Sequence, residues 1–324
     1  MYGTQSDIDS KAFPGGSTDR FARLGAANSG AEANANRIGS GVPIRIYMLG
    51  RFSVAIDGQP VSVNGNGKSN GKAKQRPLAL LKALIAFGGR DVASSQIWEC
   101  LWPDSEGDLG VRNLSVTLHR LRRLLRAHTA VLQHDGKLTL NEGVCWVDAW
   151  SFERSVNEGL RRLNEPARGD AGELHLRAAL SLYSGHFLSR ESEESWMLTP
   201  RLRLKTKFER LVAALSMHLE NLERFTDAID LCLQALERDP LNELLYRRLM
   251  SCYLKQGEIA EVVRTYLQCR EALAKGLAAT PSIETERLHL EGMRAAAELS
   301  GAKAAGPSRL FGTDPRTAVK RPLD

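Results

Sequence analysis

The stretch Gly110–Arg126, GVRNLSVTLHRLRRLLR, constrains this chain more than any other. At about 100° per residue, Leu114, Leu118, Leu121 and Leu125 share one narrow stripe with Val111 beside them, which predicts a helix with one buried face. Arg112, Val116, His119, Arg120 and Arg123 lie opposite, and Asn113, Thr117 and Arg126 flank them. The stretch holds five arginines and no acidic residue, whereas a solvated helix ordinarily mixes both signs. An aliphatic Val116 among arginines is also out of place in water. It suits a helix in a DNA major groove, where guanidinium groups reach guanine edges and phosphates and an aliphatic group meets a thymine methyl. Taken alone, the stretch also fits a basic helix packed on its own domain, so its surroundings decide.

From Ile44 the run IRIYMLGRFSVAIDGQPVSV alternates, is rich in β-branched residues and contains Asp57-Gly58, which predicts a short antiparallel meander. A polar loop, NGNGKSNGKAKQR, follows. Its Gly67-Lys68-Ser69 ends like a phosphate-binding loop, but the glycine such a loop needs five residues earlier is Ser62, and another Asn-Gly pair stands where the helix should begin. Pro77 sits near the start of an apolar helix ended by Gly88-Gly89. Val92 reads as a brief extended link, and Ser94 as the N-cap of a second helix that Pro103 closes. The acidic turn PDSEGD then leads into the arginine helix. After His128, AVLQHDGKLTL reads as two short strands around Asp135-Gly136, a two-residue hairpin signal. Three helices, the third basic, followed by a β-hairpin describe a winged helix-turn-helix.

From Asp148 onward the pattern is helical with short breaks. Leu215/Leu249, Leu219/Tyr253, Ala228/Val262, Ile229/Val263 and Leu233/Leu267 recur at a period of 34, the tetratricopeptide spacing of paired helices. The fold class expected is thus an α+β winged helix-turn-helix domain (44–148) followed by an all-α, tetratricopeptide-like repeat domain (149–298). Residues 1–43 read as a disordered tail, and 299–324 as a flexible basic one.

Charge follows the same division. The chain carries a net +6, and residues 44–150 hold 14 Lys and Arg against 9 Asp and Glu, while 151–299 hold 21 against 23. A basic excess confined to one domain and a tail is expected of a nucleic-acid module joined to a neutral protein-binding one. The five cysteines show no metal-ligand spacing and, with no secretory signal or membrane-length apolar run, imply reduced thiols and a cytoplasmic location. The seven histidines are scattered, and neither HExxH nor GxSxG occurs, so neither an enzyme, a metal site nor a cofactor is expected. Arg201, Arg203, Lys205, Lys207 and Arg210 form the densest charge cluster of the second half, yet they divide between two helix faces and read as solvated surface. Trp98, Trp102, Trp146, Trp150 and Trp196 read as packing residues at domain edges.

RNLSVTLHRLRRLL is similar to the recognition helix of OmpR/PhoB-type winged helices. The meander, the helix ending LWPD and the CWVDAWSFE after the hairpin resemble a narrower group, the bacterial transcriptional activator family related to the Streptomyces antibiotic regulatory proteins. Gly185-His186-Phe187-Leu188, Ser195-Trp196, the run Asp239 to Glu243 and the run Thr280 to Thr285 resemble that family's repeat-domain motifs. The likeness spans about residues 44–298. One departure is the hairpin, which has His134-Asp135-Gly136-Lys137 where the family commonly has Gly-Tyr.

Helix face and this resemblance together assign Arg120, Val116 and Thr117 to base edges. Arg112, Asn113, His119 and Arg123, with Lys137 at the hairpin tip, fall to phosphates or flanking contacts. Asp104, Glu106 and Asp108 are candidates for touching RNA polymerase, although Asp108 also complements the helix dipole. The resemblance implies a sequence-specific regulator of transcription, an activator, that binds double-stranded DNA as tandem protomers and answers to a protein or small-molecule effector. The alternative is a scaffold whose winged helix docks protein. Labelled-ATP retention by purified protein tests the phosphate-loop reading: none is expected, and Lys68→Ala is expected to change nothing.

Overall fold

β1 (Ile44–Tyr47) turns Ile44 and Ile46 inward, and β2 (Ser53–Ile56) answers with Val54 and Ile56. This is the alternation of a sheet with one buried face. The computed structural model describes residues 41–61, 70–105, 107–165 and 169–304. The N-terminal tail up to residue 40, the triplet Gly67-Lys68-Ser69, Glu106 and the C-terminal residues from 305 lie outside them. β2 returns into β3 (Gln59–Pro60) through Asp57-Gly58, both at positive φ as a two-residue hairpin turn demands.

α1 (Asn70–Ala86) begins directly after Ser69, so the Asn70-Gly71 pair opens the helix where the sequence reads a break, and Pro77 lies inside it and does not open it. Proline there forfeits one backbone hydrogen bond, near an end where Gln75 and Arg76 are exposed. The run Leu78–Ala86 is buried over most of its surface and holds the helix. β4 (Val92–Ala93) leads into α2 (Ser94–Leu101). Ser94 is not the cap: it is the first helical residue, its N–H donates to the Gly136 carbonyl at 2.8 Å, and its hydroxyl finds no partner among the described residues. The β-ladder, which reaches one residue further than the sequence pattern shows, fixes Ser94 in that position.

α3 (Gly107–Leu124) starts three residues before the apolar periodicity does. It packs on α1 and α2. Gly110 faces Trp98 so closely that a Cβ would lie 2.5 Å from the indole Cε3. A short 3-10 turn (His128–Ala130) leads to the hairpin β5 (Val131–His134) and β6 (Lys137–Leu140), turned by Asp135-Gly136 at positive φ and extended by β4 in the order β4-β6-β5. β7 (Cys145–Val147) runs parallel to β1, completing the sheet β3-β2-β1-β7.

Helices follow without interruption: α4 (Asp148–Leu163), α5 (Gly169–Leu182), α6 (Ser195–Asn221), α7 (Phe225–Arg238), α8 (Glu243–Gln256), α9 (Ile259–Leu277) and α10 (Ile283–Ala304). The described chain forms two compact units. The first runs through Arg224 and includes 237–239, so it holds the N-terminal sheets together with α4–α6. The second comprises Phe225–Leu236 and everything from Pro240.

In the first unit the helical segment grips the turn after β1. The buried Asp148 carboxylate accepts from Met48 N at 2.8 Å, Leu49 N at 3.0 Å and Ala149 N at 2.6 Å. Gly50 N donates to His186 O, Leu188 N donates to Met48 O, and Arg201 donates to the Phe187 and Leu188 carbonyls. The Gly185–Leu188 motif is thus the clamp on the N-terminal sheet.

In the second unit α7 and α9 start 34 residues apart, at Phe225 and Ile259. Four of the five period-34 pairs have at least one fully buried member. Leu233/Leu267 does not: Leu233 is half-buried and Leu267 exposed, the buried equivalents being Cys232 and Tyr266. The Asp239–Glu243 motif caps α8, with Leu244 N donating to Asn242 Oδ1 at 3.2 Å. Glu243 then accepts from Ser282 N at 2.7 Å, Ser282 Oγ at 2.6 Å and the Thr285 hydroxyl. Partial burial raises the Glu243 pKa, but the Ser282 and Thr285 hydrogen bonds outweigh it and hold this carboxylate below the usual range. α10 continues to Ala304, so residues 299–304 are helix and not tail. Among the described residues no helix is long and apolar enough to cross a membrane, and all five cysteines are free.

Two predictions follow from packing. Burial pushes the Asp148 carboxyl up from 3.8 to about 7, against the opposing hydrogen bonds from Leu49, Met48 and Ala149. The folded state therefore holds a proton that the unfolded state has released, and this group's contribution to stability falls as pH rises from about 4 to about 7. Thermal melts of wild type and Asp148→Asn across that window show the difference between them changing with pH, and flat above it. Gly110→Ala forces a methyl into the Trp98 ring and costs about 1–3 kcal/mol in denaturant unfolding, whereas Val116→Ala, on the exposed face, stays within about 0.5 kcal/mol.

Candidate functional site

Leu114, Thr117, Leu118 and Leu121 form the buried face of α3, and Leu125 continues it just past the helix. Thr117, assigned from sequence to a base contact, is only 5% exposed and cannot reach outward. It follows Leu114 by three residues and precedes Leu121 by four, which puts it on the leucine stripe and not on its flank. Val111 errs the other way: it is 53% exposed, because Gly110 occupies the neighbouring inward position against Trp98.

The outward face carries Leu109, Arg112, Val116, His119, Arg120 and Arg123, all exposed, with Val116 at 47%. Asn113 is half-buried at its edge. Among the described residues the guanidinium groups of Arg112, Arg120 and Arg123 have no ion-pair or hydrogen-bond partner. Arg122 differs: its Nε and Nη2 donate to Val131 O at 3.0 and 2.7 Å. It fastens α3 to β5 and leaves the other arginines free. At the hairpin tip Lys137 is exposed, as are His134 and Asp135, whose side chains pair at 3.0 Å. The turn before α3 presents Asp104 and, in the helix's first turn, Asp108, both exposed.

The denser basic cluster on α6 behaves otherwise. Arg201 binds Glu193 and the Phe187 and Leu188 carbonyls, and Arg203 and Lys207 share Glu153 at 3.2 and 3.6 Å. Lys205 lies 3.5 Å from Asp239. These four charges are paired within the first unit, while Arg210 is exposed and unpaired among the described residues, the solvated surface expected of the cluster. The same unit holds a cleft of about 760 Å³ between α1–α2 and the start of α6, lined by Arg76, Lys82, Cys100, Glu191, Glu194 and Trp196 among others. Lys82 pairs there with Glu191 at 2.8 Å. Burial first, and Glu194 second, push the Cys100 thiol up to about 11, so it stays protonated. Trp98 packs on Gly110, Arg76 lies over Trp102, Trp146 is buried against Tyr47, Trp150 packs on Gly89 and Trp196 lines the cleft. Among the described residues no three His, Cys, Asp or Glu are grouped to hold a metal ion.

Residues 147–291 match the family model of the bacterial transcriptional activator domain. Among solved structures, that of Mycobacterium tuberculosis EmbR, in complex with a low-affinity phosphopeptide, superposes with a TM-score of 0.54. It is 19% identical and covers 82% of this chain and 69% of that one, a likeness of fold. No curated protein sequence matches this chain. From the end of β7 to the middle of α10, residues 147–291 are thus similar to a bacterial transcriptional activator domain.

Proposed function

We propose that residues 44–148 are a winged-helix domain that binds double-stranded DNA sequence-specifically, with α3 in the major groove and the β5–β6 hairpin as the wing. One observation carries the reading: three unpaired, exposed arginines surround an exposed valine on a helix whose opposite face is fully packed. Leaving three guanidinium groups unpaired on one face gains the fold nothing. In a major groove the same groups find guanine edges and phosphates, and Val116 finds a thymine methyl. Arg120 and Val116 are the base readers. Arg112, Asn113, His119 and Arg123 serve phosphates or flanking edges, and Lys137 reaches the adjacent groove or backbone.

The helical domain, 149–298 in this division, supplies regulation, and the protein acts as an activator bound as tandem protomers. Asp104 and Asp108, with Glu106 between them in sequence, are the candidates for touching RNA polymerase. The cleft behind α2 has the volume of a small-molecule site, and its position suits an effector, since α2 backs directly onto α3.

A mobility-shift series on fragments of the neighbouring genome tests the core claim. A salt-sensitive preference for particular fragments is the expected outcome, and its absence leaves the scaffold alternative. Arg120→Ala costs about 1–3 kcal/mol and relaxes specificity at one base pair, while Arg123→Ala weakens all sequences alike and flattens the salt slope by about 1. Equal losses on every sequence from both substitutions would contradict this division of roles.

A further inference from the structure

The C-terminal end of α3 closes in an unusual way. Ala127 N donates to Arg122 O and Arg126 N to Arg123 O at 3.2 Å each, which is the Schellman pairing, and the residue in the left-handed position is Arg126, at φ 54°. Glycine is the residue such a position favours, because a Cβ there meets the backbone. This helix therefore keeps a side chain where stability alone prefers none.

That side chain has a setting. Arg126 and Arg123 line a hollow of about 320 Å³ with Gln59, Pro60 and Val61 of the β2–β3 hairpin, over a floor of Ile56 and Leu124. Among the described residues no carboxylate lines the hollow, and neither arginine has a partner. The plain reading is that both arginines complement the helix dipole. The dipole presents only about half a negative charge at a helix C-terminus, and the Schellman bonds already engage the Arg122 and Arg123 carbonyls. Two full positive charges exceed what that end can neutralise.

We infer that the hollow between the end of α3 and the β2–β3 hairpin is a phosphate-binding site that grips the DNA backbone, with Arg126 and Arg123 as its cations and Gln59 as a neutral donor. The contact extends the proposed DNA interface beyond helix and wing onto the N-terminal sheet, and it rests on the DNA-binding reading. It carries no sequence information. Its role is to hold the end of α3 against the backbone on every sequence alike.

The test uses the full chain and Arg126→Gly, with Arg126→Lys as its partner. Relieving the left-handed strain raises the melting temperature of Arg126→Gly, so lost binding cannot be laid to misfolding. The expected result is affinity lower by roughly three- to tenfold for every duplex, an unchanged ranking of sequences, and a salt slope shallower by about 0.9, one phosphate's worth. Arg126→Lys keeps the charge and most of the affinity. Titration of inorganic phosphate into the ¹⁵N-arginine-labelled chain, without DNA, shifts the Arg123 and Arg126 Nε resonances and not that of Arg112. If Arg126→Gly binds every duplex as wild type does while Arg120→Ala still relaxes specificity, the site is refuted and the DNA reading stands. If phosphate moves the two resonances but no duplex binds, the hollow takes free anions only and the backbone grip is refuted along with the reading.

Discussion

One buried carboxylate holds the first unit together. β1 ends at Tyr47, and the three residues after it carry backbone groups that no strand takes up. Left unpaired inside the protein, each such group would cost about 1–3 kcal/mol. Asp148 collects two of those N–H groups and the Ala149 N–H of its own helix, and the Gly185–Leu188 segment takes the Gly50 N–H and the Met48 carbonyl. The arrangement works only if α4 begins where β7 ends, alongside β1. The parallel pairing of β1 with β7 places it there.

This explains why the N-terminal sheets and α4–α6 form one compact unit although their sequences look like separate modules. The sheet β3-β2-β1-β7 is anchored to helices at one end, and its β2–β3 hairpin faces Arg123 and Arg126 at the end of α3 across a hollow. α1 and α2 press on the leucine face of α3, and Arg122 ties it to β5. The helix is held on several sides, and the side left over is the basic one. A bound duplex would thus meet a rigid surface, with little ordering to be done on binding.

How much of this was legible in the sequence depends on the length scale of the signal. The Asp-Gly turns are legible because two residues dictate them, and the leucine stripe of α3 because its period repeats over about three turns. The family's repeat motifs were visible as strings, but what Gly185–Leu188 clamps lies more than a hundred residues away, and no local pattern announces a partner at that distance. Thr117 was misplaced because threonine's polarity outweighed its angle on the helix. Pro77 was read as a start because a proline usually marks one, and here the apolar run after it carried the helix across. Arg126 drew no role because its meaning lies in a backbone angle, and an arginine's name does not disclose φ.

The two basic clusters make the last point. Counting charges along the chain favours Arg201–Arg210, which is denser than anything exposed on α3. Density is the wrong variable. The α6 cluster sits beside Glu153, Glu193 and Asp239, and four of its five charges are spent within the fold. An ion pair already made must be broken before either partner can serve a ligand, so such cations contribute little to binding one. α3 has no acidic residue after Asp108, and the described elements packed against it bring none within reach of Arg112, Arg120 or Arg123. What distinguishes the candidate interface is therefore a deficit of carboxylates around an ordinary number of arginines. That deficit is written in the sequence only as the absence of Asp and Glu from Leu109 to His134, a stretch in which the fold then buries every alternative except the solvent.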